Sequence, residues 1–289
     1  MSHWQELNLA AITKRLAPVR RMPPGILFER QSPHNHIIVR RTADQVLLCY
    51  RHDRHRSEEI ESRLRLSDPL ALASDYTQAM LLALAWQPAP HHILLIGLGG
   101  GRLQMVLHHY LENTLLSSVE IDPIVVEVAR RFFGFAPDER QYITVKDGRD
   151  YLRGMPAEAP YDLILLDAYH VGGIPLRLCT REFYAECRAA LTPTGVVATN
   201  LQASTPLYAG IRKTFAASFH HTAAVPLLGG NVIVIGSDIE RLSPSEVRER
   251  AVAVQQRYHC DFALPEWAQA LASKSPYHPN APILHDADA

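Results

Sequence analysis

The stretch HHILLIGLGGGRLQMVLHHYLENTLLSSVEID, at residues His91–Asp122, decides the predicted fold. It begins with an apolar run that predicts a buried strand, and a glycine-rich turn over Gly97–Gly101 follows directly. Apolar residues then recur at helical spacing over Leu103–Leu111, and a second apolar strand ends in Glu120. A strand, a glycine loop, a helix, a strand and an acid in this order indicate a βαβ unit that binds a nucleotide or a nucleoside.

The spacing of the glycines narrows the predicted ligand. A dinucleotide-binding loop has a third glycine where this chain has Arg102. The glycines at 97, 99 and 101 instead follow the pattern Gly-x-Gly-x-Gly, which is closer to loops that hold nucleosides of the S-adenosylmethionine type. Glycines let the backbone approach a ligand closely at the helix N-terminus, and Glu120 is placed to accept hydrogen bonds from ribose hydroxyls. A plain structural turn is the alternative interpretation.

The composition bounds the class of protein. The 289 residues suffice for one large domain or for a large domain with a small one, and the 47% hydrophobic content supports a full core. A net charge of -1 argues against nucleic acid or a membrane surface as the main partner, because either would favour a basic excess. No apolar run reaches the roughly 18 residues of a membrane span, and the N-terminus lacks the apolar stretch of a signal peptide. We therefore expect a cytoplasmic protein with no membrane partner.

Cysteines and histidines do not form a recognisable metal motif. The four cysteines lie far apart without a CxxC pair, which is typical of reduced thiols in the cytosol. His34-x-His36 and His52-x-x-His55 have the spacing of metal ligands, yet no cysteine ligand or helical HExxH motif accompanies them. The sequence predicts no metal cofactor.

The N-terminal quarter predicts a helix and a small β-domain. Residues 2–16 fit an amphipathic helix that Pro18 and the following prolines would end. Runs rich in Ile, Val and Leu predict strands at Gly25–Arg30, His36–Arg41 and Val46–Arg51. The last two are expected to form a hairpin. The charged run Arg51–Arg65 mixes both signs and is predicted as a solvated loop or a surface helix.

The rest of the chain alternates strands and helices. A helix is predicted from Asp68 to Trp86, and further strands and helices alternate up to Gly236. Such alternation predicts a mostly parallel sheet with helices on both faces, closed by an antiparallel hairpin. The predicted fold class is therefore α/β, with a Rossmann-like sheet of the class I methyltransferase type and a small N-terminal β-domain. We assign residues 1–72 to the N-terminal helix and β-domain and residues 73–289 to the nucleoside-binding catalytic domain.

Polar residues follow four of the predicted strands. Gly97–Gly101, Glu120, Asp147 and Asp167 come at carboxyl ends of strands, where open α/β sheets bind their ligands. Together they predict a backbone cradle, an acceptor for ribose, an acceptor for the adenine amino group and an acid that faces the reactive end of the ligand. Taken singly, each acid is also consistent with a helix N-cap, and Asp147-Gly148 with a plain turn.

Several ordered phrases resemble the spermidine synthase (polyamine aminopropyltransferase) family, and more closely its divergent spermidine-synthase-like branch. They lie between about Gly25 and Asp238 and read SPHNHIIV, ILLIGLGGG, VEIDPIVVEVARRFFG, DGRDYL, YDLILLDAYHVGGIPLRLCTREFY and LTPTGVVATN. The resemblance implies an N-terminal β-domain on a Rossmann-like domain, usually in a homodimer. It also implies that the protein binds decarboxylated S-adenosylmethionine, transfers its aminopropyl group to a polyamine and releases methylthioadenosine.

The resemblance implies roles for individual residues. Glu120 matches the ribose-binding acid, Asp147 the acid that contacts the adenine amino group, and Asp167 the first acid of an Asp-Ser-Ser-Asp segment. The predicted cofactor-binding residues are Gly97, Gly99, Gly100, Gly101, Glu120, Ile121, Asp147 and Gly148. The predicted catalytic residues are Asp167, Tyr169 and His170, and the predicted substrate-binding residues are Tyr76 and Gln78.

Two positions depart from the active members of the family. His170 stands where they have the second acid, which positions the attacking amine and helps to take its proton. Gly100 stands where they have the aspartate that anchors the aminopropyl amine. A histidine can act as a base but supplies no negative charge for a polyamine, and the loss of a charge partner commonly costs about 100-fold or more. The sequence therefore predicts an intact nucleoside site and an impaired polyamine site.

Three functions stay open at this point. The first is aminopropyl transfer to an amine, with His170 in the place of the usual base. The second is methyl transfer from S-adenosylmethionine, because Gly100 removes an acid that would repel the carboxylate of that molecule. The third is a non-catalytic nucleoside-binding or scaffold protein. We expect a small-molecule amine or polyamine as the partner, no nucleic acid, and a homodimer.

Overall fold

Two β-sheets divide the chain in the computed structural model, which describes residues 2–52, 57–155, 160–170, 173–239, 241–271 and 280–289. Within these residues, the first sheet is four-stranded and antiparallel, and the second is seven-stranded and mostly parallel. The predicted α/β fold class with a small N-terminal sheet is confirmed. The predicted boundary after residue 72 falls between the two sheets, and the division into domains stays a prediction.

The N-terminal part is a helix followed by the antiparallel sheet. Its elements are α1 (His3–Arg21), β1 (Gly25–Gln31), β2 (His36–Arg41), β3 (Gln45–Arg51) and β4 (Glu58–Arg65). The strands pair in the order β1-β2-β3-β4, and β2 and β3 form the predicted hairpin. Ser2 begins α1 with a capping box, in which its hydroxyl accepts a hydrogen bond from the Gln5 amide and so satisfies a backbone donor at the helix end.

Two predictions for this part are wrong. The first helix does not end at Pro18 but continues to Arg21. Leu16 and Val19 are buried in the apolar cluster of the N-terminal sheet, so their packing outweighs the hydrogen bond that proline cannot donate. The charged run contains β4 instead of a loop or a helix, because Ser62 and Leu64 alternate inward beside β3.

The remainder of the chain forms the parallel sheet and the helices that cover it. Its helices are α2 (Asp75–Met80), α3 (Arg102–Tyr110), α4 (Pro123–Phe132), α5 (Gly148–Arg153), α6 (Arg181–Ala189), α7 (Tyr208–Ser218), α8 (Pro244–Tyr258) and α9 (Leu264–Gln269). Its strands are β5 (His92–Ile96), β6 (Leu115–Glu120), β7 (Gln141–Val145), β8 (Tyr161–Leu166), β9 (Leu191–Gln202), β10 (His221–Pro226) and β11 (Asn231–Ser237). The strand order is β10-β11-β9-β8-β5-β6-β7, and β10 and β11 form the predicted closing hairpin.

The predicted long helix from Asp68 to Trp86 is much shorter in the structure. Only α2 is α-helical, and a 3-10 helix at Leu81–Ala85 follows it. The buried guanidinium of Arg102 donates to the backbone oxygens of Pro69 and Ala71, at 2.5 and 3.1 Å. The segment before α2 is thus held by a side chain from α3 instead of by the hydrogen-bond ladder of a helix.

Among the described residues, apolar clusters hold the two sheets together. One cluster covers each face of the parallel sheet, and a third joins α1, the N-terminal sheet and α4. The third cluster includes Leu98 of the glycine loop and Phe133 at the end of α4. The N-terminal sheet is therefore fixed beside the glycine loop. No helix in the described ranges combines the length and the apolar character needed to cross a membrane.

Candidate functional site

A cavity of about 1010 Å3 lies at the carboxyl edge of the parallel sheet, beside the N-terminal sheet. The order of the strands reverses at β5, and open α/β sheets bind ligands at such a switch point. One side, which we call the strand-end wall, contains Gly97, Glu120, Asp147 and Asp167. A second side, which we call the β4 wall, contains Glu59–Arg63. The residues that the sequence places at four different strand ends are thus brought together.

Gly97 allows the loop after β5 to meet the end of β8. Its φ of 98° lies in the left-handed region, and a Cβ at this position would be 2.2 Å from the backbone oxygen of Asp167. Only glycine fits such an approach without moving the backbone. The side-chain amide of Gln104 holds the loop in place by donating to the Gly97 oxygen at 3.0 Å.

Glu120 is oriented by backbone amides at the end of β6. Its carboxylate accepts hydrogen bonds from Leu98 N at 3.0 Å and from Asp122 N at 2.9 Å. Burial raises the pKa of Glu120, and these hydrogen bonds act in the opposite direction. Each carboxylate oxygen has a second lone pair that a ribose hydroxyl can use. The neighbouring Ile121 is 41% exposed and adds an apolar surface to the cavity.

Asp147 has more protein partners than the sequence suggested. It is the N-cap of α5, an unpredicted helix, and accepts hydrogen bonds from Arg149 N at 2.9 Å and Asp150 N at 3.0 Å. Its second oxygen pairs with Arg177 Nη1 at 2.9 Å. Asp147 and Gly148 both line the cavity. An adenine amino group would therefore share this carboxylate with Arg177.

Asp167 lies in a polar network after β8. The side-chain amide of Asn200 donates to its Oδ1 at 3.0 Å, and Tyr76 also forms a hydrogen bond with the carboxyl group. Burial outweighs both hydrogen bonds and raises the pKa of Asp167 to about 6. The hydroxyl of Tyr169 donates to the Asn200 backbone oxygen at 2.7 Å, so it is held against the same network. A carboxyl group with such a pKa is suited to accept a proton near neutral pH.

Asn200 is a site residue that the sequence interpretation missed. Its side-chain oxygen accepts a hydrogen bond from Asn231 Nδ2 at 2.9 Å, which directs its amide group towards Asp167. Asn200 and Asn231 both line the cavity. The sequence feature that could have identified Asn200 is its position at the end of an apolar run, near the carboxyl end of β9.

His170 and the two predicted amine-binding residues have different surroundings. His170 is exposed and lines the cavity, and its backbone pairs with that of Gly173 in both directions, at 3.2 and 3.0 Å. Tyr76 also lines the cavity. Gln78 does not, because its side-chain amide donates to the backbone oxygen of Leu72 at 2.8 Å.

The glycine loop reaches the cavity with only part of its length. Gly97 and Gly99 line the cavity, whereas Gly100 and Gly101 do not. The amide of Gly100 donates to Ser62 Oγ at 2.9 Å, and Gly101 is the N-cap of α3. The loop therefore contacts β4 at Gly100, the position where active members of the family carry the aspartate that anchors the amine.

The β4 wall contributes acids that the sequence interpretation missed. Leu48 pairs with Ser62 and Cys49 with Ile60, so Glu61 is the extra residue of a β-bulge. Glu61 lines the cavity, and burial, followed by the charges of Asp167 and Glu59, raises its pKa to about 8. The alternation of small or apolar residues with charged ones was the one sequence signal for this strand, and the high charge concealed it.

The described part of the chain contains no group of three or more His, Cys, Asp or Glu side chains placed to hold a metal ion. His34 lines the cavity, and His36 contacts Glu29 at 2.9 Å. His52 contacts Glu59 at 3.1 Å, while its predicted partner His55 lies outside the described residues.

Comparison with known proteins identifies the family. Residues 76–225 match the family model described as spermine/spermidine synthase domain. A polyamine aminopropyltransferase from Chromobacterium violaceum is 34% identical over 215 residues, which cover 71% of this chain and 80% of that protein. The chain belongs to the spermine/spermidine synthase family. The resemblance seen in the sequence is confirmed, and with it a transferase family that has a Rossmann-like fold.

Two solved structures resemble this chain over most of their length. A probable spermidine synthase from Corynebacterium glutamicum has a TM-score of 0.69 over 92% of this chain and 97% of that chain, at 21% identity, and shows the same fold. Human methyltransferase-like protein 13 in complex with SAH has a TM-score of 0.60 over 66% of this chain and 95% of that chain, at 27% identity. The roles of the individual residues in this chain stay predictions.

Proposed function

We propose that this member of the spermine/spermidine synthase family transfers an aminopropyl group from decarboxylated S-adenosylmethionine to an amine or polyamine. The family membership supports this class of reaction. The observation that carries the proposal is the meeting of Glu120, Asp147 and Asp167 in one cavity. Glu120 would accept hydrogen bonds from the ribose, Asp147 from the adenine amino group, and Asp167 would face the sulfonium end.

The reaction needs a nucleophilic amine and an acceptor for one proton. The nitrogen lone pair attacks the propyl carbon next to the sulfonium, so an N–C bond forms and the C–S bond breaks. The electron pair of that bond goes to sulfur, and methylthioadenosine leaves as a neutral thioether. Because a polyamine nitrogen arrives as an ammonium ion, it must give up one proton before its lone pair can attack. Asp167, with a pKa of about 6, is mostly ionised at neutral pH and is held by Asn200 in one orientation, so it is the proposed acceptor.

The charge of the cavity suits a cationic acceptor. Among the described residues, the acids that line it are Glu59, Glu61, Asp75, Glu120, Asp147 and Asp167. A low-dielectric cavity with an excess of one charge attracts ligands of the opposite charge. Active family members have acids at the positions of Gly100 and His170, and the acids on β4 thus offset the absence of those two charges.

Methyl transfer from S-adenosylmethionine is a second candidate function. The observation in its favour is the likeness to human methyltransferase-like protein 13, whose structure holds SAH. Both candidates use the same nucleoside end of the cavity. They differ in the group that leaves the sulfur and in whether the ligand has a carboxylate.

A mass-spectrometric assay separates the two candidates. Decarboxylated S-adenosylmethionine and S-adenosylmethionine would each be offered with a panel of di- and triamines. We expect methylthioadenosine and an aminopropylated amine from the decarboxylated donor. Formation of S-adenosylhomocysteine and a methylated product would instead favour methyl transfer. If neither product formed and methylthioadenosine left the melting temperature unchanged, both candidates would be rejected.

A further inference from the structure

The glycine loop has no room for the acid that active family members carry at the position of Gly100. A Cβ at Gly100 would lie 2.6 Å from Cδ1 of Phe133 and 3.0 Å from Cβ of Ser62. Phe133 is fully buried, so it cannot move aside without disturbing the core. The packing of the loop against β4 and Phe133 therefore excludes a side chain at Gly100, where active family members carry an aspartate.

An acid on β4 faces the cavity directly before Ser62, the residue that contacts the glycine loop. Ser62 contacts the loop through the hydrogen bond from Gly100 N, and Glu61 precedes it at the bulge. A bulge adds a residue to one strand and so changes the direction of its side chain relative to the regular alternation. Glu61 lines the cavity as a result, beside the part of the loop at Gly97–Gly99.

No described positive charge lowers the pKa of Glu61, although Arg63 also lines the cavity. The pKa of its carboxyl group is raised by burial and by two acids, Asp167 and Glu59, and no described cation or hydrogen-bond donor acts to lower it. Acids on other elements, such as Glu120, are stabilised by backbone amides instead. A buried acid whose neighbours are acids is favourable when a cationic ligand lies between them.

We propose that Glu61 binds the terminal ammonium group of the aminopropyl donor, and that it replaces the acid that is absent at Gly100. This inference rests on the proposed function, because it assumes that the nucleoside is held by the strand-end wall. The sulfonium end would then lie near Asp167, and the aminopropyl chain would extend towards the β4 wall.

The same residue determines which form of the donor binds. Decarboxylated S-adenosylmethionine has an ammonium group at the end of its side chain, whereas S-adenosylmethionine has a carboxylate next to that group. A carboxylate close to Glu61 and Asp167 would be repelled by both acids. Glu61 therefore selects the decarboxylated donor and acts against the use of this cavity for methyl transfer.

Titration calorimetry with three ligands tests this proposal on the wild type and on Glu61→Gln. Methylthioadenosine has no ammonium group, decarboxylated S-adenosylmethionine has one, and S-adenosylmethionine has one together with a carboxylate. We expect Glu61→Gln to leave the methylthioadenosine affinity unchanged and to weaken the decarboxylated donor by about tenfold or more. The affinity for S-adenosylmethionine should fall much less, so the preference for the decarboxylated donor is reduced.

Glu58→Gln is the matched control. It makes the same substitution on the same strand, but Glu58 pairs with Arg40 and Arg51 and does not line the cavity. We expect this variant to retain the wild-type preference among the three ligands. An equal loss of preference in both variants would show a long-range effect of charge and would overturn the proposal.

The pH dependence of donor binding to the wild type is a second test, and it does not require that a variant folds. Because the pKa of Glu61 in the empty cavity is about 8, binding of an ammonium group must release its proton, so donor affinity should rise with pH up to about 8. Methylthioadenosine should not show this rise. Among the described residues, the titratable groups that interact with Glu61 include Glu59, Asp167, Cys49, Tyr50, Tyr76 and Tyr169. Burial raises the pKa of the cysteine and of the tyrosines, so they stay neutral, and Asp167, with a pKa of about 6, is mostly ionised above about pH 7.

His34 and His170 also line the cavity, and both are retained in Glu61→Gln. A rise in donor affinity between about pH 7 and about pH 8 that persists in the variant would therefore belong to other groups and would contradict the role of Glu61. Equal weakening of methylthioadenosine and the decarboxylated donor would show that Glu61 only supports the structure of the cavity. If the wild type did not bind methylthioadenosine at all, the proposed function itself would fail, and this inference with it.

Discussion

The two walls of the cavity are built by different structural rules. The strand-end wall consists of residues that directly follow apolar strands, and the carboxyl ends of parallel strands always lie at one edge of a sheet. The β4 wall belongs to an antiparallel strand with many charges, and its key acid faces the cavity because of a bulge. The first wall follows from topology, whereas the second depends on the register of two strands.

The walls also differ in how their acids are stabilised. Glu120 and Asp147 each accept hydrogen bonds from two backbone amides, so their negative charge is partly satisfied before any ligand binds. Burial, and then the charges of Asp167 and Glu59, raise the pKa of Glu61, so its charged form is unfavourable unless a cation binds beside it. The strand-end wall is therefore suited to neutral hydroxyl and amino groups, and the β4 wall to a cation.

The largest effect is expected for Asp167→Asn, which retains the shape of the residue that connects the two walls. At neutral pH the transfer rate should fall by about 100-fold or more, because the proton acceptor is lost. The affinity for methylthioadenosine should change little. In the wild type the rate should decrease as the pH falls below about 6, where Asp167 becomes protonated. An unchanged rate in the variant would assign the proton acceptor to another residue, such as His170.

A loss confined to nucleoside binding is expected for Glu120→Gln. The amide keeps one acceptor oxygen but loses the charge that strengthens hydrogen bonds to the ribose, so methylthioadenosine should bind about tenfold more weakly, as measured by calorimetry. Glu127→Gln, on the exposed face of α4, is the control and should bind normally. Equal affinity in both variants would contradict the assignment of the ribose to the strand-end wall.

A smaller effect, on stability, is expected for Gly100→Asp, which restores the acid of the active family members. The new side chain would meet Phe133 and Ser62, so the free energy of unfolding should fall by about 1–3 kcal/mol, measured by denaturant titration. Phe133→Leu in the same chain should recover part of that loss. A stable Gly100→Asp variant with faster aminopropyl transfer would place the amine site on the glycine loop instead of on β4.

A further prediction is a pH dependence of stability that Glu61 causes. Its pKa rises from 4.5 to about 8 on folding, so between these values the folded chain holds a proton that the unfolded chain has released. The free energy of unfolding should therefore fall as the pH rises from about 4.5 to about 8. Thermal unfolding of Glu61→Gln should lack this component. The same slope in the variant and the wild type would mean that Glu61 does not hold the proton.

Much of the strand-end wall was predictable, and little of the β4 wall was. The apolar run before Gly97 and the acid at Glu120 follow from hydrophobic periodicity and from the rule for strand ends. Asn200 also obeys that rule, but asparagine has no distinctive charge and was overlooked. Gln78, predicted to bind the substrate, does not line the cavity, and its side chain instead binds a backbone carbonyl, which has no sequence signature.

Periodicity failed in two places for the same physical reason. The long helix that was predicted to begin at Asp68 does not form. Arg102, which is more than thirty residues away, donates hydrogen bonds to two backbone carbonyls of that segment. The helix that Pro18 should have ended continues because Leu16 and Val19 are buried. In both cases distant packing outweighed the local preference of the backbone.

The sequence by itself determined the parallel sheet, the glycine loop, the family and the acids at the strand ends, because these depend on local patterns and on the fixed direction of parallel strands. Only the tertiary structure decided that a charged segment becomes β4, that its bulge turns Glu61 into the cavity, and that Gly100 faces Phe133. These features depend on which strands pair and in which register, and a single residue of register decides which face a side chain occupies.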